Sequence, residues 1–249
     1  MVSQEPVLLI VAADWRELAG VAHKMSGVHA VVKTGASEGT QKGLAWCRRG
    51  SLRRRSIVLA ANGAGPSNAA RAVDRISDLM RVAAVVSTGL CGALDPALLP
   101  GDLVAAERVL SLDPPLEFAA RPPGGCSAPP ARKGTVLTVD HVVQSAGEKR
   151  RLRATGASVV EMEAAGVAAE ACKRGLPFFC VRAVSDGAEE SFGIDYNRAR
   201  RPDGSFSPAD IVAQAGLRPA RWAELIQWRR RRRLAAERLG DFFASSEFD

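Results

Sequence analysis

Residues Val159–Gly166 (VVEMEAAG) and Val181–Gly187 (VRAVSDG) decide the fold of this chain. In each stretch an apolar run leads directly into carboxylates, which are Glu161 and Glu163 in the first and Asp186 in the second. Burying an unpaired carboxylate costs on the order of several kcal/mol, so acids at the ends of buried strands indicate a functional role. Because open α/β sheets bind ligands at the carboxyl ends of their strands, the two stretches predict a ligand site at one edge of such a sheet.

Short apolar runs bounded by turn residues predict the strands of this sheet. These runs are Val7–Ala13, Ile57–Ala61, Ala83–Ser87, Leu103–Val109, Val136–Val139, Ser158–Val160 and Phe178–Val184. Helices are expected from Asp14, over Asn68–Met80 and Ala164–Arg174, and in a C-terminal segment, residues 208–243, as Pro208–Ala215 and Pro219–Phe243. The alternation predicts one α/β domain over residues 1–249, with three αβα layers and a mixed, largely parallel central sheet. Residues 113–130 hold three Pro-Pro pairs and a Gly-Gly pair, which predicts an irregular loop.

Composition excludes several classes of protein. Hydrophobic residues make up 47% of the chain, which allows a sizeable core, and no apolar run reaches the ~18 residues of a membrane span. The cysteines are odd in number without a CxxC pair, and histidines are few, so we expect reduced thiols and neither a metal nor a cofactor. The first apolar run lacks the basic flank of a signal peptide, which predicts a cytoplasmic location. The cysteines are Cys47, Cys91, Cys126, Cys172 and Cys180.

The net charge of +7 is concentrated in two arginine runs, Arg53–Arg55 and Arg229–Arg233. A solvated surface is the simplest explanation. Because Trp222 and Trp228 lie beside the second run, a second explanation stays open, in which the C-terminal basic helix makes peripheral contact with an anionic membrane. The chain carries no recognisable nucleic-acid-binding motif, so nucleic acid is not expected as a partner.

Glycine-rich segments follow two of the predicted strands, at Asn62–Gly65 and Thr88–Gly92. Loops of backbone N–H groups at helix starts bind anions. Both segments are therefore candidates for holding a nucleophile, with Thr88 as a hydroxyl donor.

Taken together, these motifs resemble the purine/uridine phosphorylase superfamily, especially its methylthioadenosine/S-adenosylhomocysteine nucleosidases. The resemblance runs to about Gly187 and includes Val11–Ala13 ending in Glu17, both glycine segments, and the two opening stretches. The Glu-Met-Glu and Arg-Ala-Val-Ser-Asp pair is its most specific part. Within the tail, Asp195–Arg198, Asp203–Phe206 and the arginine-rich helix look like the hopanoid-associated members, which are thought to release adenine from adenosylhopane.

The resemblance implies cleavage of the bond between a purine nitrogen and ribose C1′. Asp186 would hold or give a proton at purine N7, Glu163 would bind the ribose hydroxyls, and Glu17 would activate water. Each has a structural alternative: Asp186 could cap the turn at its strand end, Glu163 could pair with a helix dipole, and Glu17 could form a capping box with Asp14. On an extended segment Glu161 shares a face with Glu163, so the residues alone do not choose between them.

The same resemblance completes the expected site. Met162 would pack against the sugar, although a core position suits a methionine equally well. The backbone at Val143 would contact the base, with His141 expected to be structural. The remaining expected substrate-binding residues are Ser185, Thr88, Gly89 and Gly63.

The function predicted is a nucleosidase that releases adenine from a 5′-substituted adenosine and works as a homo-oligomer. Methylthio, homocysteinyl and hopane substituents stay open. Leu90 stands where the nucleosidase pattern often has a hydroxyl residue, and together with Glu17 this favours hydrolysis over phosphorolysis. A phosphorolytic purine nucleoside phosphorylase and a non-catalytic nucleoside-binding protein remain as alternatives.

Overall fold

A computed structural model describes residues 5–31, 44–125 and 128–249. The predictions for residues 1–4, 32–43 and 126–127, including that for Cys126, lie outside the described residues. Ten strands and seven helices follow one another in the described part of the chain. The strands are β1 (Val7–Ala12), β2 (Ser26–Ala30), β3 (Trp46–Leu52), β4 (Arg55–Ala61), β5 (Val82–Ala93), β6 (Leu103–Leu112), β7 (Pro115–Ala119), β8 (Ala131–Thr138), β9 (Val159–Glu161) and β10 (Phe178–Asp186). The helices are α1 (Ala19–Lys24), α2 (Pro66–Leu79), α3 (Ala146–Arg153), α4 (Ala164–Lys173), α5 (Tyr196–Ala199), α6 (Pro208–Ala215) and α7 (Pro219–Ser245).

The sheet combines a parallel centre with antiparallel additions. Strands β4, β1, β5 and β10 pair in parallel in that order, while β3 and β2 continue the sheet beyond β4 in antiparallel fashion. On the other side the pairings β10–β6–β8–β9–β5 return to β5, so the sheet closes on itself there. The predicted mixed, largely parallel sheet is confirmed.

Strand β1 explains the three layers. All six of its residues are buried, because alternate side chains enter two separate cores. Val7, Leu9 and Val11 pack on the side of α2 and α4, and Leu8 and Ile10 pack on the side of α1 and α7. A strand that is apolar on both faces therefore requires helices on both faces.

The carboxyl ends of the central strands meet at one edge. At the end of β10, Asp186 is paired with Gly92 of β5, and Gly92 is paired in turn with Val160 of β9. Helix α4 begins directly after β9. This register places the two stretches VVEMEAAG and VRAVSDG side by side, as predicted.

Two expectations from the sequence are wrong near the site. The chain after β1 does not start a helix at Asp14: residues 13–18 are bends and turns, α1 begins at Ala19, and no side chain caps it. Asp14 instead accepts a hydrogen bond from the backbone of Arg16 at 2.8 Å, so the capping box with Glu17 does not form. Thr88–Gly92 is not a loop at a helix start, because β5 continues to Ala93.

Segments that lie farther from the site also differ from the prediction. Residues 113–130 are not wholly irregular, since β7 lies within them and pairs with β6. Strands β2 and β3 are absent from the prediction because their burial is low or mixed, which leaves no apolar run. In the described residues no helix is long and apolar enough to cross a membrane. Cys47, Cys91 and Cys180 are buried and Cys172 is exposed, all as free thiols.

The close approach of α4 to α2 gives a stability prediction. A Cβ at Gly166 would lie 2.0 Å from the carbonyl oxygen of Pro66, the first residue of α2. Gly166→Ala should therefore lower the free energy of unfolding by about 1–3 kcal/mol. The matched control is Gly147→Ala on α3, where a Cβ would meet nothing within 4 Å and helix propensity gains up to ~1 kcal/mol. Urea unfolding of both variants is the measurement, and equal stabilities would contradict this account of the helix contact.

Candidate active site

A cavity of about 170 Å³ opens at the carboxyl ends of β1, β5, β9 and β10. It contains the expected carboxylates Glu17, Glu161, Glu163 and Asp186, which come from three distant parts of the chain. The other expected residues in its wall are Met162, Val143 and Ser185. The predicted convergence of acids around one cavity is thus present in the structure.

Asp186 is held at both carboxylate oxygens. The buried ammonium of Lys149 donates to its Oδ2 at 2.5 Å, and the hydroxyl of Ser185 donates to its Oδ1 at 2.5 Å. The backbone N–H of Gly187 donates to Glu190 rather than to Asp186. Asp186 therefore does not cap the turn after its strand, and its carboxylate lies in the wall of the cavity.

Glu161 supports the helix that follows it. It accepts hydrogen bonds from the backbone N–H of Glu163 at 2.8 Å and of Ala164 at 2.9 Å, and from the Thr138 hydroxyl at 2.5 Å. It also pairs with the guanidinium of Arg182. Glu161 thus satisfies the N-terminus of α4, which is the place that the sequence offered to Glu163 as an alternative role.

Arg182 connects the strands at the site. It is fully buried in β10 and donates to the Ser87 hydroxyl at 2.6 Å and the Thr88 carbonyl at 2.9 Å. Its second carboxylate partner is Glu163, at 3.5 Å. Because both terminal nitrogens of its guanidinium are engaged by protein groups, Arg182 orders the site rather than offering a free cation to a ligand.

Glu163 points toward the N-terminus of α2. Its Oε1 accepts a hydrogen bond from the backbone N–H of Gly65 at 3.2 Å. Burial and the charge of Glu161 raise its pKa from 4.5 to about 7, against the opposing effect of Arg182. A carboxyl group with such a pKa can both accept and donate hydrogen bonds near neutral pH.

Glu17 has the least satisfied carboxyl group of the site. Its Oε2 is inaccessible to solvent and has no hydrogen-bond partner among the described residues. Burial first, and then the charge of Glu163, raise its pKa from 4.5 to about 8. A Cβ at Gly89 would lie 2.4 Å from this oxygen, so glycine at that position makes room for the carboxyl group. Once ionised, Glu17 is a suitable base for a bound water molecule.

The wall of the cavity also includes the segment from His141 to Val143. Both backbone polar groups of Val142 bond to the side chain of Asn197 at 2.8 Å, which fixes the segment that ends in Val143. His141 also lines the cavity, held between Asp140 at 2.9 Å and Glu148 at 2.7 Å. The hydrogen bond to Asp140 raises the pKa of His141 despite partial burial. This hydrogen-bonded setting agrees with the structural role expected for it.

Three expected residues do not line this cavity. The hydroxyl of Thr88 donates to the carbonyl of Val181 at 2.9 Å inside the sheet. Gly89 lies beside Glu17 and Arg182, and Gly63 lines a neighbouring cavity. Thr88 is therefore not placed as a hydroxyl donor to a ligand.

Sequence reasoning missed several residues of the site. Lys149 gave no signal, since it lies in the charged segment EKRRLR. Arg182 did give one, because an arginine inside an apolar strand needs buried partners. The aromatic wall comes from the tail, where no strand pattern points to a cavity: Phe192, Tyr196, Phe206 and Trp228.

A second cavity, of about 610 Å³, adjoins the first. Ala13, Glu17, Ala64, Phe206 and Trp228 line both, so the two are neighbours across this group of residues. The second cavity adds indole rings and guanidinium groups to its wall, from Trp15, Trp46, Arg71 and Arg232.

An α/β sheet with buried acids at its strand ends and aromatic side chains in the wall of a cavity is typical of ligand-binding proteins of the α/β class. The profile of the phosphorylase superfamily matches residues 9–128 and 117–214. The chain therefore belongs to the phosphorylase superfamily, which confirms the resemblance drawn from its motifs.

The chain is similar in sequence to several 5′-methylthioadenosine/S-adenosylhomocysteine nucleosidases. That of Mycobacterium tuberculosis is 29% identical over 197 residues, covering 60% of this chain and 76% of the relative. That of Geobacillus kaustophilus is 28% identical over 215 residues, covering 76% of this chain and 88% of the relative. The resemblance to this nucleosidase branch is confirmed, while that to the hopanoid-associated branch stays a prediction.

Solved structures confirm the fold class. The Neisseria meningitidis 5′-methylthioadenosine/S-adenosylhomocysteine nucleosidase in complex with methylthio-immucillin-A has a TM-score of 0.67 at 21% identity, covering 96% of this chain and 99% of that chain. A futalosine hydrolase mutant from Helicobacter pylori has a TM-score of 0.66 at 16% identity, covering 96% and 99%.

The raised pKa of Glu17 predicts how stability depends on pH. Between pH 4.5 and about 8 the unfolded chain loses the Glu17 proton while the folded chain keeps it, so wild-type stability falls as pH rises through this window. Glu17→Gln removes this contribution and should show a shallower decline. The measurement is urea unfolding of both proteins at several pH values, with Glu117→Gln, an exposed position, as control. An equally steep decline in Glu17→Gln would show that Glu17 is ionised in the folded protein.

Proposed function

We propose that this protein is a nucleosidase that hydrolyses the N-glycosidic bond of a 5′-substituted adenosine and releases adenine. The main support is the convergence of Glu17, Glu163 and Asp186 on one cavity, together with the nucleosidase relatives. In this reaction the C1′–N9 bond breaks with its electron pair moving to the base, and water adds to C1′. The departing base needs a proton, and the sugar becomes cationic in the transition state.

Asp186 is the proposed acid for the base. Its carboxyl group and the rings of Phe192 and Tyr196 line the same cavity, which suits a flat heterocycle. Proton transfer from a positioned acid contributes about 10²- to 10⁴-fold to a rate. Val143 is the proposed backbone contact for the edge of the base.

Glu163 is the proposed ligand of the ribose hydroxyl groups. The choice over Glu161 follows from their contacts, because Glu161 is occupied by α4, Thr138 and Arg182. A carboxylate at this place also lies near the positive charge that develops on the sugar. Met162, at the wall between them, is the proposed apolar contact of the sugar.

Glu17 is the proposed base that takes a proton from the attacking water. Hydrolysis is favoured over phosphorolysis by charge: the described residues lining the first cavity include no lysine or arginine, whereas a phosphate dianion would need one beside these acids. Leu90 supplies no hydroxyl group there. A phosphorylase remains the second candidate through family membership.

The 5′ substituent is proposed to enter the second cavity. Its volume and its indole rings suit a group larger than a hydroxyl, and Trp15 and Trp46 suit an apolar one. Methylthioadenosine and S-adenosylhomocysteine are the substrates named for the relatives. Adenosylhopane is the third candidate, supported by the tail motifs and by the aromatic wall.

The test is release of adenine from these three nucleosides, with and without phosphate. Wild type should release adenine from at least one of them, without phosphate and without forming ribose 1-phosphate. Asp186→Asn cannot supply the proton and should lower kcat by about 10²- to 10⁴-fold. Chromatographic quantification of adenine is the measurement.

Asp78→Asn on α2, an exposed carboxylate 56% accessible, serves as the control and should keep wild-type activity. Wild-type turnover by Asp186→Asn would exclude this mechanism. Binding of the nucleosides without release of adenine would instead support a non-catalytic binding protein, and a strict need for phosphate would support a phosphorylase.

We also infer that the outer face of α6 and α7 is a contact surface. Large apolar side chains are exposed there: Leu217, in the turn between the two helices, is fully exposed, and Trp222 and Ile226 on α7 are 42% and 53% exposed. Arg229 and Arg230 follow on α7, which suits an anionic membrane surface. Trp228 is not part of this face, because it lines the cavities. Homo-oligomer formation, in the cytoplasm, is the other proposed association.

The membrane contact can be tested by co-sedimentation with anionic vesicles. Wild type should bind in a salt-sensitive way, and Arg229→Gln/Arg230→Gln should bind roughly tenfold or more weakly, since each arginine near the surface contributes about 1 kcal/mol. The matched control is Arg53→Gln/Arg54→Gln, two exposed arginines in the turn between β3 and β4. Absence of salt-sensitive binding by wild type would defeat the membrane proposal. Self-association without lipid would favour a second copy of the chain.

A further inference from the structure

Lys149 on α3 has no exposed surface, although its ammonium group ends beside the candidate acid. Its Nζ donates to Asp186 Oδ2 at 2.5 Å, to the carbonyl oxygen of Gly187 at 2.8 Å and to that of Glu190 at 3.2 Å. These acceptors use all three ammonium protons. A buried ammonium is costly to desolvate and is rare without partners. Its placement here calls for a role that a neutral side chain would not perform.

The surroundings hold this ammonium group against Asp186 and away from water. The ring centroid of Phe192 lies 5.5 Å from the Lys149 Nζ, and Phe192 also lines the cavity. The Ser185 hydroxyl occupies the other oxygen of Asp186. The result is a lysine–carboxylate pair, one member of which lies in the cavity wall while the other lies directly behind it.

We propose that Lys149 is a positioning residue that keeps a transferable proton on the Lys149–Asp186 pair, so that Asp186 can protonate a purine where a lone carboxyl group would be ionised. This inference rests on the nucleosidase function proposed above. In the free enzyme the pair is an ammonium beside a carboxylate. As the C1′–N9 bond breaks, one proton passes from Lys149 to Asp186 and one from Asp186 to N7, which leaves a neutral amine. The amine then regains a proton from solvent, and Glu17 releases the proton that it took from the attacking water.

Other ionisable groups face the pair from the neighbouring elements. Cys91 on β5 and Tyr196 on α5 lie near Asp186, and burial raises the pKa of each, so both stay neutral near neutral pH. Glu190 faces Lys149 from the loop after β10, where burial is outweighed by a hydrogen bond from Arg231 of α7 that lowers its pKa. These groups therefore do not change their protonation state over the pH range in which the pair is tested.

Three other ionisable groups of the cavity have raised pKa values. That of Glu163 is about 7, that of Glu17 is about 8, and that of His141 is raised by its hydrogen bonds to Asp140 and Glu148. All three residues are retained in every protein compared below. Dividing the kcat of a variant by that of wild type at each pH removes their contributions.

The test is the pH profile of kcat for adenine release by Lys149→Met, from about pH 5 to about pH 9. Without the ammonium, Asp186 must itself be protonated to act. The ratio of variant to wild-type kcat should therefore fall about tenfold per pH unit once Asp186 ionises in the variant. Lys149→Gln, which keeps amide donors without the charge, should show the same fall. The control Lys173→Met, at a lysine side chain that is 72% exposed, should keep a constant ratio.

A ratio that is reduced but constant with pH would show that Lys149 only supports the structure, and would overturn the proposal. Absence of adenine release by wild type would instead defeat the proposed function, so the two failures are distinguishable. If neither variant of Lys149 folds, infrared difference spectra between wild type and Asp186→Asn decide the matter. The proposal requires no protonated-carboxyl band from Asp186 in the free wild-type protein at neutral pH, and such a band would overturn it.

Discussion

The site depends on one buried guanidinium group, that of Arg182, surrounded by carboxyl groups. Arg182 pairs with Glu161 and Glu163 and also bonds to Ser87 and Thr88 of β5. Glu161 in turn holds the N-terminus of α4. These contacts connect β5, β9, β10 and α4 at the edge where the cavity opens. A buried charge without its partners is strongly destabilising, so the network has few alternative arrangements.

The same network has more negative than positive groups around Glu17 and Glu163. Arg182 is near Glu17, Glu161 and Glu163, and one guanidinium cannot neutralise three carboxylates. Burial and mutual repulsion therefore leave Glu17 and Glu163 with pKa values of about 8 and about 7. The surroundings of Asp186 are different, because one ammonium group, that of Lys149, matches its carboxylate. The cavity wall thus contains two different electrostatic environments, a pattern that is typical of sites with paired acid and base groups.

The aromatic part of the cavity wall is separated from this network along the chain. The acids lie in residues up to Asp186, whereas the aromatic wall comes from the later residues Phe192, Tyr196, Phe206 and Trp228. Helix α7 is held close to the sheet through its contact with α1, where a Cβ on Gly240 would lie 2.5 Å from the backbone of Gly20. The close helix contact lets α7 place Trp228 over both cavities. The aromatic wall and the acids therefore come from separate segments of the sequence.

The sequence by itself predicted the strands whose burial is nearly continuous, β1, β4 and β10, because they appear as apolar runs. The helices α4, α6 and α7 and the mixed sheet were also predicted, and the superfamily follows from the motifs around Glu163 and Asp186. Other features did not follow from the sequence, because local patterns there compete with pairing to distant strands. These features are the irregular chain after β1, the continuation of β5 through its glycines, and the strands β2, β3 and β7.

Only the tertiary structure decided the contacts within the site. It separated Glu161 from Glu163 by giving the first to α4 and Arg182, it left the Oε2 atom of Glu17 without a hydrogen-bond partner, and it brought Lys149 to Asp186 across 37 positions of sequence. The physical reason is that the pKa and the partners of a carboxyl group depend on burial and on charges that neighbour it in space, whereas a sequence pattern records only neighbours along the chain.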